Sequence, residues 1–354
     1  MEKEDSWKYL GDILSSDGKN DINIKERIKR GLGAVTNICQ TLKDLCLGRY
    51  FYEAAMILRD SLLLSTLLSN SEAWVNLSTK NVEDLESVDE QFLRNIFQEA
   101  HKKTSMLAKT PLELLYLETG CLPVRFILQS RRLYFLHYIL NDREDSLLSN
   151  VFRAQCDIPV KGDWITTVKD DLKELSMDLS FDQIRSQSKD VFKATVKQIV
   201  REKALEYLQN LQKKHSKSKP LQYPKLTLQD YLKSESNMTT REKSFTFAAR
   251  ARMINLKCNF KTGQKDLKCR LCCKHEENQQ GLLLCPALNS EPVRTPLYTD
   301  LFSEKKEKTT KIALILKEKF QIFQNLQVQG QRHSQPSAAS SLNVNHVNSD
   351  DEDM

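Results

Sequence analysis

The residues best suited to chemistry in this sequence are four cysteines and a histidine that lie within seventeen positions, 269–285. Cys269 and Cys272 form a Cys-x2-Cys pair, His275 follows, and Cys285 lies ten residues further on. Two thiolates at this spacing converge on one side of a tight turn, which makes the pair a common half of a tetrahedral zinc site. The cluster predicts zinc as a cofactor, with Cys269, Cys272, Cys285 and either His275 or Cys273 as ligands. The alternative is a decayed site of ordinary reduced thiols.

Catalytic constellations are missing from the rest of the sequence. Glu276 and Glu277 are the carboxylates nearest to the cysteines, and a solvated loop explains them as well as an acid–base role does. Cys121 lacks the His and Asp pattern of a catalytic thiol, and His137 lies among apolar helix residues, which favours a packed side chain. We therefore expect that the protein is not an enzyme and that it takes no small-molecule substrate.

Basic residues are concentrated in one block of the chain. Between Lys189 and Lys274 there are 21 Lys and Arg residues against 7 Asp and Glu, a net charge of +14, whereas the whole chain carries only +6. Such a block predicts a polyanionic partner, most simply RNA or DNA. The candidate phosphate contacts are Arg131, Arg132, Arg241, Arg250, Arg252, Lys257 and Lys261. The alternatives are solvated helix faces without a partner, or a helical scaffold that binds an acidic protein.

The elements that must position these residues are predicted to be helices. Only 10 Gly and 9 Pro occur among 354 residues, so long elements run with few interruptions. Apolar residues recur at steps of three and four over most of the chain, which is typical of amphipathic helices. An alternating stretch from Trp7 to Leu14 predicts one short strand or hairpin, closed by a turn at Ser16-Asp17-Gly18. We predict an all-α fold with helices that begin near residues 21, 51, 79, 110, 123, 165, 188, 227, 239, 296 and 308.

The two ends of the chain have no apolar character. Met1 leads into charged residues rather than into a signal peptide, and no apolar stretch reaches the ~18 residues that span a membrane. We expect an intracellular protein, nuclear or cytoplasmic, with reduced cysteines and no membrane partner. Residues 327–354 are rich in Gln, Ser and Asn and end in an acidic run, which predicts a disordered tail.

Several strings of the sequence, taken in order, resemble one protein family. They are WKYLGDILSSDG near the start, then SEAW, LRNIF and TPLELLYLETGCLP, and finally TTREKSFTFAARARMINLKCNFK before the cysteines. This order resembles the region that follows the polymerase core in the reverse transcriptases of non-LTR (LINE-type) retrotransposons. The resemblance covers about residues 7–325.

The resemblance implies a division of the chain into six parts. They are a remnant of the palm-end strand and turn (1–20), a thumb-like helical bundle (21–100), a basic helical C-terminal region (101–260), a degenerate zinc-knuckle-like segment (261–290), C-terminal helices (291–326) and the acidic tail (327–354).

Two departures from the family pattern limit what the resemblance implies. The family's polymerase holds its metal ions with an aromatic-x-Asp-Asp turn upstream of the YLG strand, and this sequence contains no such motif. The chain is therefore not expected to synthesise DNA. The second half of the family's knuckle reads His-x4-Cys, and here the histidine position falls on Gln280 or Gly281 before Cys285. The knuckle is therefore expected to be degenerate.

Overall fold

The computed structural model describes residues 6–9, 11–16, 18–75, 77–98, 110–215, 221–259, 266–288, 298–303 and 305–333. Helices make up most of this part of the chain, and the predicted all-α class is confirmed. None of the described helices is both long enough and apolar enough to pass through a membrane.

A two-stranded antiparallel hairpin opens the described chain. Strand β1 (Ser6–Tyr9) pairs with β2 (Asp12–Ser15), so the chain reverses between them. It turns again after β2, as predicted, where the Gly18 N–H donates to the Ser15 carbonyl at 3.1 Å. Gly11 has a φ of +92° at the reversal, a backbone conformation that favours glycine. The alternating stretch therefore forms a short hairpin, one of the two forms predicted for it.

The long helices begin within two residues of their predicted starts, whereas the helices that begin at Leu147, Phe181 and Gln279 were not predicted. Ser188 and Thr239 accept hydrogen bonds from the third residue after them, and Thr239 forms a full capping box with Glu242. In the segments predicted as helices near 227 and 296, the described residues form short 3₁₀ turns, Asp230–Leu232 and Thr299–Phe302. The helices are α1 Asp21–Asp44, α2 Phe51–Leu58, α3 Leu64–Leu67, α4 Thr79–Gln98, α5 Leu112–Thr119, α6 Val124–Leu140, α7 Leu147–Asp157, α8 Trp164–Glu174, α9 Phe181–Ser186, α10 Lys189–Lys214, α11 Thr240–Arg250, α12 Gln279–Leu284 and α13 Lys306–His333.

A π-helical turn, Arg59–Leu63, joins α2 to α3 and carries a buried ion pair. Arg59 donates from Nε and Nη2 to the two carboxylate oxygens of Asp89 on α4, at 2.7 and 2.6 Å. The same Nη2 reaches the Leu122 carbonyl, and the Tyr116 hydroxyl donates to Asp89. Both ions are fully paired, which is the condition under which buried charges are tolerated.

A second buried pair connects α5 with α11. Arg250 Nε donates to Glu118 Oε1 at 2.8 Å, and the Tyr223 hydroxyl donates to the same oxygen at 2.7 Å. Arg250 Nη1 donates to the Leu301 carbonyl, and the guanidinium lies 5.5 Å from the centre of the Tyr231 ring. This pair therefore holds together four segments that are far apart in the sequence.

Gly120 ends α5 at a point where the backbone is crowded. Its φ is +69°, and a Cβ at this position would lie 2.2 Å from the carbonyl carbon of Thr227. The segment that follows α10 thus crosses directly over the end of α5, and Arg201 of α10 donates to the Leu226 carbonyl beside it at 2.8 Å. A side chain at position 120 would separate these segments.

A third buried cation fixes the start of α11. The Lys243 ammonium donates to three backbone carbonyls, those of Arg49, Leu232 and Lys233, at 2.6, 2.9 and 2.8 Å. All three ammonium protons have acceptors, so the buried charge is satisfied without a carboxylate in direct contact. The contact joins α11 to the turn that precedes α2.

The hydrophobic core continues across the boundary expected at residue 100. Phe97 at the end of α4 stacks on Phe247 of α11, with ring centres 3.8 Å apart, and Tyr52 of α2 packs against Phe97. Trp74 is buried, as its position after an apolar helix suggests. The thumb-like and basic regions therefore share one core, although the six-part division itself stays a prediction.

The last helix is longer than predicted. α13 extends to His333, so residues 327–333, expected to belong to a disordered tail, are helical. Gln and Arg have helix propensities close to that of Leu, and a single glycine, Gly330, does not end the helix. The rest of the predicted tail, 334–354, lies outside the described residues.

The Glu118–Arg250 pair should be essential for stability. Glu118→Ala leaves the Arg250 guanidinium buried without its carboxylate, and we expect the free energy of unfolding to fall by about 3–5 kcal/mol. Urea denaturation followed by far-UV circular dichroism measures this change. The exposed residue Glu83 on α4 provides the control, since Glu83→Ala should change the free energy by less than about 0.5 kcal/mol. A loss below about 1 kcal/mol for Glu118→Ala would contradict the assignment.

Candidate metal centre and the predicted basic surface

Three of the predicted ligands converge. The sulfur atoms of Cys269, Cys272 and Cys285 all lie within 4.8 Å of one another, and those of Cys269 and Cys285 are 3.9 Å apart. Four sulfurs at ~2.3 Å from one zinc ion would be separated by about 3.8 Å, so this spacing suits a metal. Cys269 and Cys285 are buried and Cys272 is half-buried. The three cysteines could therefore hold a metal ion.

A tight turn aims backbone N–H groups at the sulfur of Cys272. Cys273 has a φ of +53°, and its N–H donates to the Cys269 carbonyl at 2.9 Å. Beyond this left-handed residue the chain returns beside itself, since the Cys269 N–H donates to the His275 carbonyl at 2.7 Å. Burial opposes ionisation of Cys272, but hydrogen bonds from the N–H groups of Lys274 and His275 outweigh it and lower the pKa of this thiol.

Cys285 has the opposite electrostatic environment. Burial raises the pKa of its thiol to about 12, and the neighbouring Cys272 and Cys269 add to the rise. The Ala287 N–H donates to the Cys285 sulfur and acts in the other direction without reversing the shift. Negative charge on one thiolate thus disfavours charge on the next, and a bound cation would remove this repulsion.

The fourth predicted ligand does not join the cluster. Among the described residues, the group of mutually close ligand atoms contains the three cysteines and neither His275 nor Cys273. No other residue at position 281 could supply the ligand either, because its Cβ would lie 1.8 Å from the Glu276 carbonyl oxygen. Gln280 is exposed. Within the described part of the chain, the structure therefore brings together three thiols that could bind a metal and no fourth protein ligand.

Glu277 organises the segment around the cysteines, which the sequence did not indicate. Its buried carboxylate accepts from the N–H of Lys257 at 3.0 Å and from the N–H and Nε of Arg270 at 3.1 and 2.8 Å. Its own backbone bonds to Cys258 and Leu267. The prediction that a solvated loop accounts for Glu277 is wrong, since its side chain is 1% exposed. Its position next to the exposed Glu276 gave no signal of this role.

The cysteine segment is docked on the helical body. Leu282 and Leu283 of α12 are buried, and Gln279 donates to the Ala249 carbonyl at the end of α11. The Arg270 guanidinium lies 5.4 Å from the ring centre of Phe323 on α13. These contacts hold the segment through the protein itself, in addition to anything that a metal contributes.

Two of the arginines predicted to contact phosphates are buried. Arg132 donates from Nε and Nη2 to the carboxylate of Asp171 at 2.6 and 2.8 Å, and Arg250 pairs with Glu118 as described above. Their side chains are 8% and 2% exposed. Neither guanidinium is open to a phosphate, because each is already neutralised by a buried carboxylate. The role of both residues is to hold helices together.

Two further arginines form hydrogen bonds within the protein. Arg131 donates to the Leu68 carbonyl at the end of α3 and to the Ser71 hydroxyl at 3.2 Å, so it satisfies a helix terminus. Arg252 is half-buried in a left-handed conformation with a φ of +54°, and its side chain hydrogen-bonds the Tyr298 hydroxyl. Both side chains have a structural role that the charge pattern did not predict.

The remaining predicted contacts have different surroundings. Lys257 is half-buried, and its ammonium donates to the Lys268 carbonyl at 2.9 Å and lies 3.4 Å from Asp266. Arg241 is exposed on the first turn of α11. Lys261 lies outside the described residues. Of the seven predicted basic residues, Arg241 is the one whose exposure within the described chain suits a phosphate contact.

Comparisons with known proteins find no match to this chain, whether against protein-family models, curated proteins or solved structures. The resemblance to non-LTR reverse transcriptases therefore stays a prediction from the sequence. The structural evidence on function consists of the geometry of the cysteine cluster and of the contacts that the basic residues make.

Loss of the Glu277 carboxylate should loosen the cysteine segment. Glu277→Ala removes the acceptor of two backbone N–H groups and of Arg270, and each unsatisfied buried donor costs about 1–3 kcal/mol. We expect amide hydrogen exchange in residues 266–278 to become about ten-fold faster or more, while exchange in α4 stays unchanged. Mass spectrometry of deuterated peptides measures both regions.

Glu276→Ala is the matched control for this substitution. Glu276 is the adjacent residue of the same type, and its side chain is exposed. Exchange in 266–278 should change less than two-fold in this variant. Equal effects of the two substitutions would show that Glu277 has no special role in holding the segment.

Proposed function

We propose that the three cysteines bind one zinc ion and that the ion stabilises the segment around them. The convergence of the Cys269, Cys272 and Cys285 sulfurs carries this proposal. Thiolate sulfur is a preferred zinc ligand, and backbone N–H groups directed at a cysteine sulfur stabilise the thiolate that a metal requires. A bound zinc ion would supply structural stability, because no carboxylate or histidine belongs to the described cluster as an acid or base.

We further propose that the chain binds RNA or DNA and does not synthesise DNA. Its resemblance to the thumb and C-terminal region of non-LTR reverse transcriptases supports this, as does the absence of an aromatic-x-Asp-Asp motif from the sequence. Charge supports it as well: the 26 residues of α10 contain seven Lys and Arg against three Asp and Glu, a net charge of +4. A basic helix of this length favours phosphate contacts without sequence preference.

Zinc content is the direct test of the first proposal. Protein purified without chelator should contain close to one zinc ion per chain by inductively coupled plasma mass spectrometry. Cys269→Ser, Cys272→Ser and Cys285→Ser should each lower the zinc content several-fold, because a site with two thiolates binds zinc weakly. Chelation should speed amide exchange in 266–288 and leave α1 and α4 unaffected.

Cys273→Ser is the control for the zinc measurement. Cys273 adjoins Cys272 and is exposed, and its sulfur is not part of the cluster, so its removal should leave the zinc content unchanged. His275→Ala should leave it unchanged for the same reason. A zinc content near zero in the wild-type protein would reject the proposal and identify the cysteines as a decayed site.

Nucleic-acid binding should weaken steeply with salt. For single-stranded RNA contacted at about four phosphates, log K falls with a slope of about −0.7 per phosphate, so affinity should drop about 50-fold between 50 and 200 mM salt. Filter binding at several salt concentrations measures the slope.

Poly-glutamate of matched charge density serves as the competitor. If it displaces RNA at equal charge concentration, the basic face suits an acidic protein, and the scaffold alternative is favoured.

A further inference from the structure

Helices α6 and α10 run antiparallel and form one continuous surface. Phe126 near the start of α6 packs on Tyr207 near the end of α10, with ring centres 5.7 Å apart. At the other end, the His137 ring stacks on Phe192 at 5.0 Å, and His137 Nε2 lies 3.0 Å from the Gln187 carbonyl. The last turns of α6 therefore lie beside the first turns of α10.

Aromatic rings are presented at this end of the helix pair. Tyr138 of α6 is 58% exposed, and its ring is nearly parallel to that of Phe135, with an interplanar angle of 9° and centres 6.1 Å apart. Phe135 in turn packs edge-on against the buried Trp164 at 5.5 Å. Tyr134 lies one turn earlier and is half-buried. The exposed Tyr138 ring thus packs on Phe135, which the buried Trp164 holds in place.

Three exposed lysines lie in a row on α10, the helix that packs against α6. Lys189, Lys193 and Lys197 lie four residues apart on α10, and the Lys193 ammonium is 5.8 Å from the centre of the Tyr134 ring. A step of four residues along a helix is about 6 Å, close to the distance between successive phosphates along a strand. Within the described chain, none of the three is in an ion pair with a carboxylate. Their charges are therefore available to a partner.

Negative charge is sparse on this surface. The sequence of α6 contains no Asp or Glu, and the first thirteen residues of α10 contain only Asp190. At the edge, Asp142 accepts a hydrogen bond from Ser146, and Glu144 lies 3.6 Å from Arg185. Two of the carboxylates that follow α6 thus already have partners within the protein. The surface therefore suits an anion that carries aromatic groups.

We infer that this surface, Tyr134 and Tyr138 with Lys189, Lys193 and Lys197, is where the chain binds single-stranded nucleic acid. The inference rests on the nucleic-acid binding proposed above and specifies its partner and its place. An unpaired base stacks on the exposed Tyr138 ring, and the lysines contact the adjoining phosphates. Bases in a duplex are already stacked on both faces, so they offer no face to the ring. The surface therefore selects single strands.

Fluorescence anisotropy with a labelled twelve-nucleotide uridylate, and with a duplex of the same length, tests the inference on the full chain. Tyr138→Ala should weaken single-strand binding about ten-fold, since stacking on one aromatic ring contributes roughly that factor or more, and should change duplex binding less than two-fold. Tyr138→Phe keeps the stacking face and should bind like the wild type. The double variant Lys193→Gln/Lys197→Gln should make the salt slope shallower by about 1.4.

Tyr50→Ala is the matched control. Tyr50 is exposed to a similar extent, 49%, but it belongs to the turn that precedes α2 and not to the α6–α10 surface. It should leave single-strand affinity unchanged. Equal losses for Tyr50→Ala and Tyr138→Ala, or an equal loss of duplex binding, would overturn the surface assignment while nucleic-acid binding itself stood. Absence of binding to either probe by the wild-type protein would reject both proposals.

Discussion

The architecture depends on a buried ion pair between Arg250 and Glu118. Removing these two charges from water is costly, and hydrogen bonds from other parts of the chain to Glu118 Oε1 and from the guanidinium offset this cost. Tyr223 donates to the carboxylate and the Leu301 carbonyl accepts from the guanidinium. The positions of α5, α11 and the segments around 223 and 301 are therefore not independent. The Arg59–Asp89 pair and the carbonyl-bound Lys243 place the same kind of constraint on α2, α4 and the start of α11.

Helix positions could be predicted from the sequence because their causes are local. Apolar residues at steps of three and four mark the buried face, and Ser188 and Thr239 mark helix starts by capping. The burial of the basic residues could not be predicted, because their partners lie far away in the sequence. Arg250 meets its carboxylate 132 positions away in the sequence, and an arginine beside an apolar stripe looks the same whether it faces solvent or a buried acid. Fewer arginines are therefore available to contact phosphates than the sequence predicted.

The cysteine segment combines three converging thiols with a framework of protein contacts. Its Cys-x2-Cys turn and Cys285 were predictable from spacing, since two ligands on one turn converge whatever surrounds them. Glu277 was not, because a buried carboxylate that binds backbone N–H groups leaves no mark in the sequence. With α12 packed on the body and Glu277 holding Lys257 and Arg270, part of the segment's order is independent of a metal. This framework holds in place the three cysteines that could bind a metal ion.

Gly281 has a consequence for how this site could change by mutation. Because no Cβ fits at position 281, a fourth ligand in the helix before Cys285 can arise only where a side chain has room. Position 280 is exposed and has the five-residue spacing to Cys285 of a His-x4-Cys half-site. Glutamine and histidine codons differ only in their third base, so one nucleotide substitution separates the present sequence from that spacing. In genetic terms, one base change separates this cluster of three cysteines from one that also has a histidine at the His-x4-Cys spacing.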